Sequence, residues 1–502
     1  MKLKFGGIYS DIFITFFTEF LVMVSFFVFF RLLAADLGPE GVGQFSLVKR
    51  VIGFFLPILF LGLGVGIPRY LAVNRDESER RNYIKSGVLL AGLTTIPFIL
   101  AVNIFSKWFA NIFFGNATYS PFIVPFSIFL AGLVVHNLVY SYLRGKMMAW
   151  AFNAMQMVNI ALVPILVLLL FRNAPVTTIV MVIGISTLSI AFLFFLFLTK
   201  DLFSDFDLLK FKASFKNLLV FSLPRFFGDV ALGGLFSLGP IFASHIVSIK
   251  EVGYLSVSQS LINAIGSVIA PLGLVLLPKF SHLHAEKKGK DMNEIVNFLV
   301  AVVLQVSIFL GFQSIIFCDV LIYNWLGSDF LEAIWLMRVI MLSIVFFSFF
   351  VSIRSVLDAV KVKPLNTINM VWSLLFFVVL DAIFFAISPN FPFIWGLAIS
   401  FIVSIMLLGL LTFKTIRNLY PHGWDSEKKC FLDAFTINIV LAAAALFMKS
   451  VIGLDLFRFI FFELAIAVVY LFLLSLVGTE WIAFAIKKVF GLRKISEGGS
   501  IK

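Results

Sequence analysis

The sequence has little charge and almost no cysteine. Asp, Glu, Lys and Arg make up 13% of its 502 residues, against a hydrophobic fraction of 61%. A soluble domain keeps roughly a quarter of its residues charged in order to cover its surface. A disordered chain would need a polar composition, and two cysteines are too few for a disulfide scaffold. These deficits exclude all three classes and indicate an integral membrane protein.

Motifs for several kinds of chemistry are also missing. The sequence has no glycine-rich phosphate loop followed by Lys and Ser or Thr, so we do not expect it to hydrolyse ATP itself. No residue group stands out with metal-ligand spacing, and the connections between apolar runs are too short to contain a catalytic domain. The sequence therefore predicts no catalytic residue, no metal and no cofactor, and we expect a protein that is not an enzyme.

Long apolar runs are what the sequence has in abundance. A membrane-crossing helix needs about 20 mostly apolar residues. Fourteen segments meet that requirement, namely 12–34, 41–66, 86–105, 121–142, 151–171, 177–199, 217–242, 252–277, 295–318, 333–353, 365–387, 392–412, 432–448 and 459–477. The predicted fold class is an all-α polytopic membrane protein with about 14 transmembrane helices. Because that number is even, both termini are expected on one side.

The net charge of +12 comes mostly from one side of the membrane. The connections on the side of the termini hold 29 of the 39 Lys and Arg residues, while the opposite connections hold five and the spans five. Basic residues collect in cytoplasmic loops. We therefore expect a multi-pass protein of the cell (inner, cytoplasmic) membrane with both termini cytoplasmic. Since topology explains the charge, no nucleic-acid partner is expected.

An internal repeat divides the chain. Residues 40–70 match residues 250–280 without gaps at an offset of 210, and residues 153–158 match residues 366–371 at an offset of 213. Two matches that are far apart in the sequence thus agree on nearly one spacing. Six predicted spans separate the copies, so both copies have the same orientation and are related by an axis along the membrane normal.

The repeat predicts the domain organisation. Residues 1–212 are expected to form one six-helix bundle and residues 213–413 a second bundle related to it by a pseudo-twofold axis. Residues 414–502 are left as two further helices and a cytoplasmic tail. Two similar bundles around a central cleft form the architecture that alternating access requires.

Basic residues inside the predicted spans are the first candidates for a substrate site. An ionisable group in a span is costly in lipid and normally faces the bundle interior or water. Four of them are predicted to form a cationic, substrate-binding cleft: Lys49, Arg50, Arg225 and Arg338. For Arg31 and Arg338 the sequence leaves open whether they face the cleft or extend to the membrane interface.

Two carboxylates occupy equivalent positions of the repeat. Glu19 and Asp229 are separated by the offset of 210. Arg225 lies one helical turn before Asp229, so an internal ion pair is the simplest account of that carboxylate. Glu19 has no basic residue one turn away in the sequence, which makes it the better candidate for coupling to an ion.

Amide side chains within the spans are weaker candidates. Asn153, Gln156, Gln259 and Asn263 have the donors and acceptors to contact sugar hydroxyls. The competing interpretation is ordinary hydrogen bonding between helices, which is common for such groups in any membrane bundle.

Three short segments carry a family resemblance. Residues 37–45 (LGPEGVGQF), residues 64–70 (GVGIPRY) and the echo at 251–254 (EVGY) resemble polysaccharide flippases of the O-antigen and capsule type. These belong to the multidrug/oligosaccharidyl-lipid/polysaccharide exporter superfamily. The span count and the duplicated halves extend the resemblance over essentially the whole chain. The motif is moderately specific for the family and poorly specific for substrate.

The resemblance implies a function and its partners. Such proteins move a polyprenyl-diphosphate-linked oligosaccharide from the cytoplasmic to the outer leaflet by alternating access. The implied partners are that lipid-linked glycan, the bilayer, H+ or Na+ as a coupling ion, and polysaccharide polymerase or assembly proteins.

Other functions stay open. The chain also resembles cation-coupled drug or small-molecule exporters and peptidoglycan lipid-precursor flippases of the same superfamily. A polytopic polysaccharide polymerase or ligase is less well matched, because it would be expected to have a large outer loop and no duplication. A lipid-scrambling or structural membrane protein would tolerate changes of charge in the cleft.

Overall fold

The computed structural model describes residues 5–74, 76–203, 207–285, 289–360, 365–388, 391–421 and 424–477. Every regular element in these ranges is helical, which confirms the predicted all-α class. The α-helices are α1 (Phe5–Phe60), α2 (Leu63–Val73), α3 (Glu77–Ile104), α4 (Ser106–Phe113), α5 (Ile123–Gly145), α6 (Ala149–Gln156), α7 (Val163–Leu170), α8 (Val176–Leu202), α9 (Leu208–Ala243), α10 (Ile249–Ala285), α11 (Gly289–Ile316), α12 (Cys318–Trp325), α13 (Ile334–Met341), α14 (Ile344–Val360), α15 (Leu365–Ala386), α16 (Phe393–Leu419), α17 (Trp424–Ile452) and α18 (Leu456–Leu476). Shorter 3-10 and π-helical segments cover Ala117–Phe122, Met157–Leu162 and Ser328–Ala333.

Helix α1 is a hairpin of two helices. Its backbone leaves the helical region at Gly38, where φ is 61° and ψ is −167°. The ammonium of Lys49 lies 5.5 Å from the ring centroid of Phe26, whereas a straight helix would separate these residues by roughly 35 Å. The rings of Phe29 and Phe45 are likewise only 4.7 Å apart. The chain therefore reverses at Gly38, and residues 5–37 and 39–60 form two antiparallel limbs.

Most of the predicted spans correspond to helices that can cross a membrane. Among the described residues, eleven helices are long and apolar enough to do so, or twelve if Ser328–Met341 and Ile344–Arg354, bent by 55°, form one span. The chain is thus a multi-pass membrane protein. The α1 hairpin is counted once although it contains two predicted spans, and α10 is not among the eleven. The total of fourteen stays a prediction.

The helices pack as two halves. In the first half, α5 packs against α2, α3 and α8; in the second, α9 packs against α15 and α16, and α10 against α14. The halves meet where α1 contacts α9 and α10, and where α2 and α3 contact α9. Two bundles are what the sequence predicts, while the boundaries at residues 212 and 413 stay predictions.

The repeated sequence motif brings the two halves together. Gly43 and Gly253 are equivalent positions of the repeat, and a Cβ on Gly253 would lie 3.0 Å from the Cα of Gly43. A Cβ on Gly43 would overlap the carbonyl oxygen of Ile249. Glycine at these positions lets the backbones of α1 and α10 touch.

Helices α17 and α18 are attached to the second half. The hydroxyl of Tyr470 in α18 donates to the carbonyl of Gln305 in α11 at 2.9 Å. The ammonium of Lys449 in α17 donates to the carbonyl of Ile316 at 2.7 Å and lies 2.8 Å from Asp319 of α12. The appended pair is therefore held on α11 and α12.

Candidate functional site: a cavity between the two halves

A cavity of about 670 Å³ lies between the two halves of the protein. Its walls come mainly from both limbs of α1 and from α9 and α10. Four ionisable side chains line it: Glu19, Lys49, Arg50 and Asp229. The amides of Asn137 and Asn263 and the rings of Phe26, Phe30, Phe60 and Phe236 also line it. The cavity thus offers charge, hydrogen-bonding groups and aromatic faces within one enclosure.

The cavity is built around the axis of the internal repeat. Seven pairs of its lining residues are separated by 210 positions: Glu19 and Asp229, Val22 and Leu232, Met23 and Gly233, Phe26 and Phe236, Arg50 and Ser260, Gly53 and Asn263, and Pro57 and Ser267. Equivalent residues of the two copies therefore face the same space. Because the counterparts of Lys49 and Arg50 are Gln259 and Ser260, these two bases belong to the first copy alone.

Arg50 links the two halves across the cavity wall. Its Nη2 donates to the carbonyl oxygen of Ser256 at 2.6 Å and to the hydroxyl of Ser260 at 2.9 Å. Both acceptors are on α10, whereas Arg50 is on the second limb of α1. The planar guanidinium reaches two acceptors at once, which a lysine ammonium does less well.

Lys49 presents its charge to the cavity. Its ammonium lies 5.5 Å and 5.8 Å from the ring centroids of Phe26 and Phe30, within the range of cation–π attraction. The side chain is exposed and lines the cavity, and within the described ranges it forms no ion pair. Its charge is therefore accessible to an anion in the cavity.

The two carboxylates differ in their surroundings. Asp229 forms an ion pair with Arg354 of α14, with 3.6 Å between Oδ1 and Nη2. Glu19 is exposed in the cavity wall and has no ion pair among the residues that the structure describes. The predicted pairing of Asp229 with Arg225 stays a prediction. Arg354, the partner of a cavity-lining carboxylate, is not among the predicted site residues, because it falls one residue beyond the predicted span 333–353.

Two of the four predicted cleft bases do not line the cavity. Arg338 donates from Nε to the carbonyl of Ile315 at 3.2 Å and lies 3.9 Å from Asp319, with its guanidinium over the ring of Trp335. The guanidinium of Arg225 lies over the ring of Phe221, 3.9 Å from its centroid. Arg338 is therefore near the attachment of α17, and Arg225 lies at the contact between the halves.

Three of the four predicted sugar-contacting amides also lie outside the cavity lining. Asn153 donates to the hydroxyl of Thr15 at 3.0 Å, and the Oε1 of Gln156 lies 3.1 Å from Nε2 of His136. Gln259 is fully buried. Asn263 alone of the four lines the cavity. Asn153 and Gln156 therefore make hydrogen bonds between helices, which is the alternative to sugar contact.

The sequence matches one known family. Residues 8–284, more than half of the chain, match the family described as polysaccharide biosynthesis protein. The chain belongs to that family. Among curated proteins, none matches the sequence.

Solved structures share the fold of this polysaccharide biosynthesis protein. The lipid II flippase MurJ in an inward closed conformation is 16% identical, with a TM-score of 0.74 over 94% of this chain and 100% of that chain. An inward-facing multidrug resistance MATE family transporter of the MOP superfamily is 16% identical, with a TM-score of 0.64 over 81% of this chain and 96% of that chain. A MOP superfamily transporter from Pyrococcus furiosus is 18% identical, with a TM-score of 0.53 over 82% and 95% of the two chains.

At these identities the likeness concerns the fold. The polysaccharide biosynthesis protein has the fold of MOP superfamily transporters, as the resemblance of residues 37–45 and 64–70 implies. The family match covers both limbs of α1 and extends into α10. It therefore includes all the charged residues of the cavity wall. The family match does not specify an O-antigen substrate.

Proposed function

We propose that the protein is a flippase that moves a polyprenyl-diphosphate-linked oligosaccharide from the cytoplasmic to the outer leaflet by alternating access. The observation that carries the proposal is the pair Lys49 and Arg50 in the wall of a cavity between two repeat-related halves. The match to a polysaccharide biosynthesis family supports it. So does the fold shared with a lipid II flippase, a protein that handles a lipid-linked substrate.

The chemistry of such a substrate matches the cavity. A diphosphate carries about two negative charges and needs cations when it leaves water. Lys49 supplies an accessible ammonium, and Arg50 supplies a guanidinium. Asn137 and Asn263 supply amides for the oligosaccharide, and the phenylalanine rings supply flat apolar faces for sugar rings. The polyprenyl chain stays in the bilayer alongside the two halves.

The direction of transport follows from the proposed orientation. We place the protein in the cell (inner, cytoplasmic) membrane with both termini cytoplasmic, because the connections on that side hold 29 of the 39 basic residues. The substrate then enters from the cytoplasmic leaflet. We further propose Glu19 as the group that couples transport to H+ or Na+, since it lines the cavity without an ion pair among the described residues.

As a transporter, the protein would perform no covalent step. Its substrate is supplied by enzymes that attach sugars to a polyprenyl diphosphate. Its product is used by polymerase or assembly proteins on the outer face, with which the protein is proposed to interact. Deleting the gene should cause the lipid-linked oligosaccharide to accumulate on the cytoplasmic leaflet, where mass spectrometry would identify the glycan.

The test uses purified protein in liposomes that contain a fluorescent polyprenyl-diphosphate oligosaccharide. The wild-type protein should move the lipid between leaflets, and the double variant Lys49→Ala/Arg50→Ala should not, although it inserts normally. Lys212→Ala, an exposed base at the start of α9, is the matched control and should be as active as wild type. Normal flipping by the double variant would contradict the cationic-cavity assignment.

Two alternatives from the same superfamily are outcomes of the same assay. A drug exporter would transport a cationic dye in exchange for protons or sodium ions, and would not move the lipid. A peptidoglycan-precursor flippase would prefer lipid II to a neutral oligosaccharide on the same carrier. Either preference would replace the proposed substrate class while leaving the fold assignment unchanged.

A further inference from the structure

A buried histidine joins several helices of the first half. The Nε2 of His136 in α5 lies 3.1 Å from Oε1 of Gln156 at the end of α6, and its Nδ1 lies 3.1 Å from Nδ2 of Asn159. Nδ2 of Asn159 also donates to the carbonyl of Thr187 in α8 at 3.1 Å. His136 is only 2% exposed. The imidazole therefore links α5 to α6, to the π-helical segment Met157–Leu162 and, through Asn159, to α8.

These contacts define where the imidazole carries its proton. A carbonyl oxygen only accepts hydrogen bonds, so the atom of Asn159 that faces Thr187 is the amide nitrogen. The second hydrogen of that nitrogen points to Nδ1 of His136, which is therefore an acceptor. The imidazole is then neutral, with its proton on Nε2, from which it donates to Oε1 of Gln156. The described conformation is the deprotonated form of this site.

The same network holds an unused acceptor. Oδ1 of Asn159 is buried and has no hydrogen-bond partner in the part of the chain that the structure describes. A proton added to Nδ1 of His136 would face the NH2 group of Asn159, so that two donors would meet. Turning the Asn159 amide would bring Oδ1 to the new N–H and would break the bond to the carbonyl of Thr187. Protonation therefore supplies the unpaired oxygen with a donor and releases α8.

The network lies beside a close contact of α5 and α8. A Cβ on Gly132 of α5, one turn before His136, would lie 3.0 Å from the backbone nitrogen of Leu188. A Cβ on Gly184 of α8 would lie 2.8 Å from the backbone nitrogen of Phe129. The π-helical segment touches α1, which lines the cavity, and π-helical segments are frequent at functional sites. Releasing α8 at this place therefore changes packing next to the cavity wall.

The cavity carboxylate is close to the same network. The rings of His136 and Tyr140 are stacked, with 6.1 Å between their centroids. Tyr140 in turn lies within electrostatic range of Glu19, which lines the cavity. Asn137, the residue after the histidine, also lines it. Tyr140 is therefore near both the carboxylate and the imidazole, and the network is one residue away from the cavity wall.

The other charged groups on helices packed against α5 have different neighbours. Helix α6, the π-helical segment and α7 contain no ionisable residue. The charges of α3 lie in its first three turns, and those of α8 in its last turn. Arg144 is two turns along α5 and within electrostatic range of Tyr140. Arg69 of α2 lies over the ring of Phe221, and Lys49 and Arg50 of α1 line the cavity.

We propose that His136 is a proton-binding site that couples flipping to the entry of H+, and that proton uptake turns the Asn159 amide and releases α8. The inference rests on the proposed flippase function, selects H+ over Na+ as the coupling ion, and adds a second proton-binding group to Glu19. The proton comes from cavity water by way of the Glu19 carboxylate and binds the lone pair of Nδ1. Because the Asn159 amide covers Nδ1, proton uptake and rearrangement occur together.

Coupling is tested in liposomes that contain the fluorescent polyprenyl-diphosphate oligosaccharide, with the membrane potential held at zero. Wild-type protein should flip the lipid at least threefold faster when a pH gradient drives protons in the opposite direction than when the gradient is reversed. His136→Gln keeps a donor and an acceptor but takes up no proton, so it should flip at one rate under both gradients and carry no protons to a pH-sensitive dye.

His245→Gln is the matched control, because His245 is an exposed histidine whose Nε2 lies 2.8 Å from the carbonyl of Ile112. It should respond to the gradient like wild type. Asn159→Asp cannot donate to Thr187 and should also flip at one rate, which serves if the glutamine variant does not fold. A wild-type gradient response in His136→Gln or Asn159→Asp would overturn the proposal, and so would wild-type flipping that follows a sodium gradient and ignores protons.

The network itself is tested without transport, with the full chain in nanodiscs. In 15N NMR, with the other four histidines replaced by glutamine, His136 should be neutral at pH 8 with its proton on Nε2. A proton on Nδ1 would overturn the proposal. Spin labels at the exposed positions Phe192 of α8 and Phe20 of α1, with both native cysteines replaced, should show a changed distance in Asn159→Asp. An unchanged distance would contradict the release of α8.

Failure of this inference is distinguishable from failure of the proposed function. Wild-type flipping that responds to protons equally well without His136 would sink the histidine site alone. Absence of lipid flipping by the wild type would sink the proposed function, and the coupling inference with it.

Discussion

Two adjacent bases of α1 have different surroundings although they carry the same charge. The guanidinium of Arg50 is already engaged with two acceptors of α10, whereas the ammonium of Lys49 faces aromatic rings and the open cavity. Because Arg50 belongs to the first half and both of its acceptors belong to the second, its hydrogen bonds depend on the relative position of the halves. A lysine without an ion pair in the described ranges is free to meet an anion. We therefore infer that Arg50 bridges the halves and that Lys49 contacts the diphosphate.

Replacing Arg50 by lysine separates these roles. Arg50→Lys keeps the charge but cannot reach the carbonyl of Ser256 and the hydroxyl of Ser260 with the same geometry. Hydrogen bonds to charged groups contribute about 1.5–3 kcal/mol, so we expect the flipping rate in liposomes to fall about tenfold. Ser260→Ala removes one acceptor and should have a smaller effect. A wild-type rate for Arg50→Lys would show that charge alone matters.

The sequence predicts how deep a side chain lies better than which way it points. Depth along a span is estimated by counting residues at 1.5 Å each, and Arg50 and Asp229, both inside predicted spans, line the same cavity. Direction around the helix depends on which helices pack against it. For that reason Arg338, at a suitable depth, contacts Asp319 instead of lining the cavity. Arg354 was missed because it lies just past a predicted span, yet it pairs with Asp229.

At the scale of elements, span positions were predictable and interruptions only in part. The reversal of α1 at Gly38 falls between the predicted spans 12–34 and 41–66, and glycine followed by proline is a local signal for it. The bend of 55° between Met341 and Ile344 has no such signal. There the hydroxyl of Ser343 donates to the carbonyl of Ile340 at 2.8 Å, and serine bonding of this kind often bends helices.

The contact between α1 and α10 predicts a strong effect of a single methyl group. Gly43→Ala would place its Cβ onto the carbonyl oxygen of Ile249, which is backbone and cannot rotate away. Overpacking of this kind costs about 1–3 kcal/mol, so we expect a lower melting temperature and lower transport. Gly92→Ala in α3 is the control, because the nearest atom to its Cβ is a side-chain carbon at 4.0 Å. Equal melting temperatures of the two variants would contradict the close contact.

One carboxylate contributes to the attachment of α17. Asp319 lies between Lys449 of α17 at 2.8 Å and Arg338 of α13 at 3.9 Å. Asp319→Asn should lower stability by about 1 kcal/mol, the upper part of the range for partly exposed ion pairs, and should increase proteolysis at the start of α17. Asp329→Asn is the control because Asp329 has no ion pair within the described ranges. Unchanged proteolysis of Asp319→Asn would show that α17 is held without this ion pair.

At the scale of the whole molecule, the contacts between the halves include two seams that are far apart, in addition to the packing of α1 on α9 and α10. One joins Phe27 of α1 to Trp325 of α12, whose indole donates to the carbonyl of Phe27 at 3.0 Å. The other joins α2 to α9 through Tyr70 and Asn217. Alternating access requires that one seam opens while the other stays closed. The internal repeat predicted that two halves would meet around an axis, but only packing reveals which residues form each seam.

Locking either seam should therefore stop transport. A disulfide formed in Phe27→Cys/Trp325→Cys or in Tyr70→Cys/Asn217→Cys, with both native cysteines replaced, should reduce flipping to background, and a reductant should restore it. The control is a pair within one half, Asn103→Cys/Ser127→Cys, whose side chains are hydrogen-bonded at 2.9 Å. If both locked seams allow flipping at the control rate, the halves do not move relative to each other.

The membrane potential should drive export in the proposed orientation. The charged groups of the cavity, Glu19, Lys49, Arg50 and Asp229, stay with the protein, so the diphosphate is the charge that crosses. An inside-negative potential favours outward movement of a negative charge and releases roughly 2.3 kcal/mol per charge and 100 mV. A potassium diffusion potential, negative inside, should therefore speed outward flipping in liposomes with oriented protein, and the reversed potential should slow it. Rates that ignore both potentials would mean that a co-transported cation, for which Glu19 is the candidate, cancels the charge.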